Sequence, residues 1–493
     1  LNDSSPARAG STGGLWPLVR RIHFYAGMFV GPFIFIAALT GAAYALSPTI
    51  ERIVYADLLT VDSVEDPAPL EEQINNAQAV HPDMPIAQVW PATEPDDSTR
   101  VLLVDESLED GRLQSVFVDP ASGDVIGDEA SYSGLGELPV RKFISETHRD
   151  LRLGEPGLLY TELAASWMWF VGLGGLILWV GRTRLRRALI GVRTSRRDRA
   201  ARKAARAAGG TKSASRKRFV NLHGVTGTWL LVVMLGISAT GLTWSTYAGK
   251  NVTTTIDALT EEPRAINTSL TGAQDHSDGG EHANHGPASG DAAAPVPSQD
   301  IAAEAQTVLD TAREEGLTGP LILYPPASSD QGWQASERWV EWRVSADAVS
   351  VDGRTGEVID RLPFSELPFF SKLTSWGIYL HMGIMFGLPL QILLCLCGLG
   401  IAALVVMGYV MWWKRRPTRS GIAGVPGPNR SLSSSEWSVV ALFLLTAGTF
   451  LPLLGISLLV MLIVDRALAR RLNFTPTAPR SEASERPRET ADA

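Results

Sequence analysis

The sequence predicts an α-helical integral membrane protein built from two copies of one unit. It has four core transmembrane helices, a fifth hydrophobic segment and two small α+β domains outside the membrane. Three observations predict this: long apolar runs, a strong charge asymmetry between the segments joining them, and motifs that recur at fixed separations.

Of the 493 residues, 45% are apolar and only 19% charged, and the apolar ones concentrate in runs. A bilayer core about 30 Å thick needs roughly 20 apolar residues in a helix. Runs 24–46, 158–181, 219–246 and 388–413 meet that length, and a fifth run, 437–464, is interrupted by Pro452. The spans are drawn at 22–47, 158–181, 219–246 and, with an interfacial lead-in, 373–414. No small-residue cleavage pattern follows the first run, which reads as a retained helix and not a signal peptide.

Lys and Arg accumulate on the cytoplasmic side of membrane proteins. Residues 182–218 hold 15 Lys or Arg and one acid, whereas 48–157 hold 23 acids and seven bases. The N-terminal tail 1–21, the basic loop 182–218 and the loop 415–436 are therefore expected inside. Residues 48–157 and 247–372 are expected outside, in a multi-pass protein of a bacterial inner (plasma) membrane. For 437–465 two readings stand, one further span or a re-entrant hairpin. The three arginines Arg466, Arg470 and Arg471 favour the hairpin. The tail 466–493 reads as disordered.

The repeat appears in two sets of matches. His23, Gly27, Thr40 and Gly41 recur 200 residues later as His223, Gly227, Thr240 and Gly241. Val116, Asp119, Gly123, His148, Gly154 and Trp179 recur 233 residues later as Val349, Asp352, Gly356, His381, Gly387 and Trp412. The longer separation implies an insertion in the second copy, placed at the linker 267–298. Parallel repeats of this kind are related by a pseudo-two-fold along the membrane normal, which pairs His23 with His223 and His148 with His381. Two facing histidines in a helical bundle are what bis-imidazole haem requires. Gly27 and Gly227 lie one turn after their histidines, and Gly41 and Gly241 lie 18 residues, or five turns, after them. Glycine at both levels would let a flat macrocycle approach the backbone. The bland alternative is that histidines at helix ends, with small residues nearby, serve helix packing.

The linker histidines His276, His282 and His285, beside acidic residues, are a weaker candidate for metal ions. Cys395 and Cys397 sit two apart in one helical run, so no disulfide joins them. No C-x-x-C-H is present, which excludes covalent c-type haem. No span carries Asp, Glu, Lys or Arg in its interior, which argues against an ion transporter. In the outer segments, 70–80 and 300–315 read as helices, and 99–104, 114–118 and 339–344 as strands. Residues 119–123 and 352–356 read as turns between strands. Neither segment holds a nucleophile–base set, a phosphate loop or a dinucleotide loop.

The strand–turn–strand 116–126, its second copy 349–359, the His-x3-Gly and Thr-Gly helix motifs and the stretch 380–387 together resemble the PepSY-associated transmembrane family. That family includes iron-regulated membrane proteins, and the likeness covers roughly residues 15–470. The resemblance implies four helices and paired PepSY domains. Some members are ferric-siderophore reductases with two b-type haems, for which His23, His148, His223 and His381 are the matching axial ligands. The partners expected are membrane lipid, a ferric chelate or siderophore and a cytoplasmic or quinol electron donor, with no nucleic acid. Two alternatives belong to other classes: a PepSY-based regulator of an extracytoplasmic peptidase, and a metal-handling transporter or chaperone using the linker histidines.

Overall fold

A computed structural model describes residues 15–62, 66–108, 111–132, 134–183, 211–259, 264–271, 301–414 and 432–473. The linker histidines His276, His282 and His285 lie outside the described residues.

The chain enters a helical bundle through α1 (Leu15–Phe29) and α2 (Gly31–Ala45), which meet at a 58° bend. The sequence reading expected one straight helix, beginning at the apolar run. Instead the helix starts at Leu15 and Pro32 breaks it. Proline has no N–H to give the carbonyl four residues back, and its ring crowds that carbonyl. The carbonyl is that of Met28, and Tyr409 Oη donates to it at 2.7 Å from the facing helix. In an apolar bundle such a freed group must find a partner.

Three helices are each long and apolar enough to cross a membrane: Glu155–Gly181 within α7 (Glu155–Thr183), Arg218–Thr243 within α8 (Thr211–Thr243), and α12 (Gly387–Trp413). The bent α1–α2 pair makes a fourth if counted as one span. Helix α2 packs along α12 and α8 along α7. At Gly398 the α2–α12 approach is so close that a Cβ would lie 2.7 Å from the Ala38 carbonyl oxygen. Small residues at such crossings are how helices associate without a hydrophobic drive between them. Both cysteines, Cys395 and Cys397, are free.

Above α2 the chain forms α3 (Ser47–Val54), α4 (Ala56–Leu59) and α5 (Leu70–Val80). Four strands follow: β1 (Ile86–Trp90), β2 (Thr99–Leu103), β3 (Arg112–Val118) and β4 (Val125–Tyr132). Then come α6 (Pro139–Asp150) and α7. The second half repeats this with α9 (Ala248–Leu259), α10 (Ile301–Glu314), β5 (Leu321–Tyr324), β6 (Trp333–Glu337), β7 (Ala348–Val351), β8 (Val358–Leu362) and α11 (Phe369–His381). The two expected α+β domains are not separate. They join edge to edge through β1 and β5 in one antiparallel sheet, ordered β4-β3-β2-β1-β5-β6-β7-β8. That order reads outward in the same sequence from the central seam. Joining the two β1-type edges leaves neither exposed as a template for aggregation.

Alternation along the strands divides the sheet. Val101, Leu103, Val116, Val118, Val349 and Val351 face α5 and α10 in one buried core. Trp90, Leu102, Leu113 and Ile322 form a second cluster on the other face. In both halves the β-hairpin turns on an aspartate: Ala121 N–H donates to Asp119 Oδ1 and Arg354 N–H to Asp352 Oδ1. Gly123 and Gly356 then take φ of 72° and 74°, a left-handed position that suits glycine.

The strand expected at 339–344 is a loop, and the strand lies earlier, at Trp333–Glu337. The aromatic residues that mimic alternation there serve another surface. Trp339 stacks on Tyr379 at 4.5 Å, and the Trp342 N–H donates to the Met385 carbonyl, both beside α12. His81, without an apparent partner in the sequence, meets Asp128 Oδ2 at 3.2 Å.

The fifth run is two helices, α13 (Ser434–Phe450) and α14 (Pro452–Asn473). Ser433 and Glu436 form a capping box at the start of α13. The helices fold back on each other: Arg466 lies over Trp437, and a Cβ on Gly455 would lie 2.5 Å from Gly448 Cα. Glu436 accepts from the Leu15 N–H at one end of the bundle, and the Thr449 carbonyl accepts from Asn251 at the other. Of the two readings of 437–465 the hairpin matches these two helices, and it runs the height of the bundle. Trp167 Nε1 donates to Ser457 Oγ and Arg21 pairs with Asp465, fixing the hairpin to α7 and α1.

Replacing Tyr409 by Phe should strand the Met28 carbonyl and lower stability by about 1–3 kcal/mol. The shift of the unfolding transition in detergent measures this. A Tyr409→Phe protein as stable as the native one would remove the account of the bend.

Candidate functional site

The four repeat-matched histidines fall in two places. His148 lies on the last turn of α6 and His381 ends α11, both at the junction of bundle and sheet. Helix α6 is placed by Pro139 in its first turn and by Glu51 of α3. Glu51 Oε2 accepts the Leu138 N–H at 2.7 Å, and the carboxylate pairs with Arg141. Tyr44 of α2 stacks on the His148 ring at 5.8 Å.

The His148 and His381 ring centres are 6.4 Å apart, tilted by 41°. With a metal–nitrogen bond of about 2 Å on each side, two imidazoles sharing one iron would have ring centres roughly 6 Å apart. The donor set and its spacing fit a bis-imidazole iron.

Their tautomers follow from the hydrogen bonds. Thr40 Oγ1 lies 3.0 Å from His148 Nδ1 and donates to the backbone carbonyls of Ile36 and Ala37. A hydroxyl has one proton. With that proton on a carbonyl, Thr40 accepts from the imidazole, the arrangement in which His148 carries its proton on Nδ1. Thr240 does the same for His381 Nδ1, donating to the Gly236 and Ile237 carbonyls. Each ring is left with its Nε2 lone pair free, the form that binds metals. Burial pushes both imidazoles down to about 4, aided at His148 by His381, so both are neutral near pH 7.

At the opposite end of the bundle, His23 on α1 and His223 on α8 line one cavity of about 1170 Å³. That is at or above the usual ~300–1,000 Å³ of ligand pockets. His223 Nδ1 donates to the Leu404 carbonyl at 3.1 Å, which again leaves Nε2 as the lone pair. His23 Nδ1 is buried without a hydrogen-bond partner among the described residues. The repeat-matched tryptophans Trp179 and Trp412 close the cavity together with Arg20 and Trp16.

The glycines divide between the two places. A Cβ on Gly27 would meet nothing within 4 Å, so Gly27 opens on the cavity, which Gly227 also lines. Gly41 and Gly241 lie against the imidazoles: an added Cβ would stand 2.9 Å from His148 Cε1 at Gly41, and 3.5 Å from His381 Cε1 at Gly241. The bend at Pro32 also interrupts the five straight turns that the first-copy spacing assumed.

Several contributors escaped sequence reasoning. Thr40 and Thr240 were visible as half of a repeated Thr-Gly pair, a signal that pointed to them had it been read for hydrogen bonding. Gly175 of α7 abuts His23, with a Cβ there 3.1 Å from Cε1. Ionisable groups do occur inside the bundle, contrary to expectation. Glu162 of α7, 2% exposed, accepts the N–H groups of Tyr247 and Ala248, and Arg21 is buried against Asp465. All three are paired with a charge or a backbone donor, as buried charges must be. Among the described residues no three His, Cys, Asp or Glu side chains gather into a metal cluster.

The difference at the two glycines is testable. Gly41→Ala should displace His148 and cost about 1–3 kcal/mol, as overpacking does. Gly241→Ala should cost little, because 3.5 Å is ordinary contact. Unfolding midpoints of the two variants in one detergent compare them directly, and equal losses would contradict the tight fit at Gly41.

Comparison with known proteins adds one finding. The sequence model of a family described as PepSY-associated TM region matches residues 20–415. No protein of curated function matches the chain.

Proposed function

The chain belongs to the PepSY-associated TM region family, and from that premise we propose that it is a di-haem b electron carrier that reduces ferric chelates of the siderophore type. The chelate would be reduced on the sheet-bearing, extracytoplasmic side of a bacterial inner membrane, in iron acquisition. The observation that carries this reading is the His148–His381 pair, 6.4 Å apart, each ring held by a repeated threonine with Nε2 free.

His148 and His381 would hold one haem iron, and His23 and His223 the other. Bound there, haem supplies a reversible one-electron couple at two depths of the membrane. The protein's own groups do the rest. Thr40, Thr240 and the Leu404 carbonyl fix the ligand tautomers and ring orientations. The glycines, leucines and tryptophans around the larger cavity exclude water and keep the dielectric low. An electron from a cytoplasmic or quinol donor would reach the outer pair from the inner one. One electron takes ferric iron to ferrous iron, which siderophores hold far less tightly, and the metal is released.

Duplication explains why there are two pairs. The palindromic strand order and the twin aspartate turns, together with the Thr–His contact in each half, support a pseudo-two-fold through the bundle. The basic segments 182–218 and 415–430 support placing the His23–His223 end inside.

The reduced-minus-oxidised absorption spectrum with pyridine haemochrome quantification tests this. Two b-type haems per chain are expected, with one lost in His148→Ala and the other in His23→Ala. A folded protein from haem-replete cells that carries no haem would overturn the redox reading in favour of a PepSY binding module. Thr240→Val should weaken haem retention at the outer pair by about 10–100-fold, the usual effect of losing such a supporting partner. Thr240→Ser, which keeps the hydroxyl, should restore it. Equal retention in all three proteins would show that the threonine does not orient the ligand.

A further inference from the structure

Away from the histidines, one pocket gathers charge against the trend of its surroundings. Residues 48–157 carry 23 acids and seven bases. Three of those bases, Arg112, Lys142 and Arg152, line a single pocket of about 260 Å³ on the outer flank of α6. Among the described residues Glu146 is the one carboxylate lining it, with the three cations 3.9, 3.6 and 3.9 Å from its oxygens. Phe143, 54% exposed, supplies an apolar wall, with the Arg152 guanidinium 4.6 Å above its ring. Lys142 is mostly buried, its ammonium 3.6 Å from the Tyr132 ring.

The backbone is bent to bring Arg152 there. Leu151 and Arg152 take φ of 55° and 57°, two successive left-handed residues that are not glycine. Each costs on the order of 1–3 kcal/mol unless its surroundings enforce it. Asp150 helps to enforce it, accepting the Arg152 N–H at 2.7 Å.

We propose that this pocket is an oxyanion subsite that takes the carboxylates of an anionic ferric chelate. The inference rests on the reductase reading above and names the chemical class of its substrate. Lys142 and Glu146 are one turn apart on one face of α6, and His148, two residues on, lies roughly 200° around the helix. A helix with its side chains is about 10–12 Å across. A chelate docked here stands one helix away from the His148–His381 pair, on the side open to solvent. In an acidic domain a small positive pocket also steers anions to that spot.

Titration calorimetry of the full chain in neutral detergent tests this, with gallium(III) citrate as a redox-inert probe. Lys142→Gln and Arg152→Gln should each weaken binding about tenfold. Glu146→Gln, which removes the repelling carboxylate, should tighten it severalfold, a gain that a misfolded protein would not show. Raising the salt concentration should weaken binding by the native chain. Unchanged affinity in the Lys142→Gln/Arg152→Gln double variant would overturn the proposal. So would failure to bind gallium citrate by a chain that instead retains phosphatidylglycerol through Lys142 and Arg152, which would assign the pocket to a lipid headgroup. Gallium is not reduced under these conditions, so the measurement does not depend on haem. Binding without haem would sink the reductase and leave the pocket standing, whereas haem without binding would do the reverse.

Discussion

The structure turns on one constraint: an imidazole buried among apolar helices must have its ring N–H satisfied and its charge suppressed. A polar group buried there without a partner costs several kcal/mol. The threonines meet the constraint in the cheapest way available to a helix. A threonine whose hydroxyl donates to its own backbone accepts from a ring N–H, and Thr40 and Thr240 stand at that distance from Nδ1 of His148 and His381. The Leu404 carbonyl does the same for His223. Three of the four rings are thereby turned into lone-pair donors by local hydrogen bonding alone.

The same rule of satisfied groups governs the scaffold. Pro32 frees a carbonyl and Tyr409 takes it up. Glu162 caps the turn into α9, and Asp465 neutralises Arg21. A buried ion pair is poor evidence of stability, since desolvation offsets much of the attraction. The Arg21–Asp465 pair fixes position instead: it sets α14 against α1, two helical positions from His23. The hairpin that supplies Asp465 lies beyond residues 20–415, the part that matches the family. It packs against α1, α7 and α9.

What the sequence disclosed was governed by periodicity and repetition. Apolar length located α7, α8 and α12, and the two separations located every residue of the histidine sites that recurs. The Asp-Gly hairpins were legible because their turn chemistry is local. What stayed hidden depended on contacts between distant segments. Nothing in 86–90 or 321–324 announces that those two strands meet, and Trp339 and Trp342 mimic a strand while packing on helices. Tyr409 and Met28 are 381 residues apart. The contacts of Gly41 and Gly241 with the imidazoles were hidden for a simpler reason: glycine spacing says that something approaches the backbone, but not what.

The two halves are not equivalent. In the first copy the entering helix is bent at Pro32, His23 has no hydrogen-bond partner for Nδ1 among the described residues and Gly41 is pressed against its histidine. In the second copy α8 runs unbroken, His223 is anchored to a carbonyl, and Gly241 has ordinary clearance. The added hairpin binds the first-copy helices α1 and α7 through Arg21 and Trp167. The cationic pocket also belongs to the first copy: Lys142 and Arg152 fall, at the 233-residue separation, on Ser375 and Met385, which carry no charge. The matched motifs supply the common part, a histidine held by a threonine in each half. The asymmetric part, with its bend, brace and charge, gives one face of the molecule a chemistry that the other lacks.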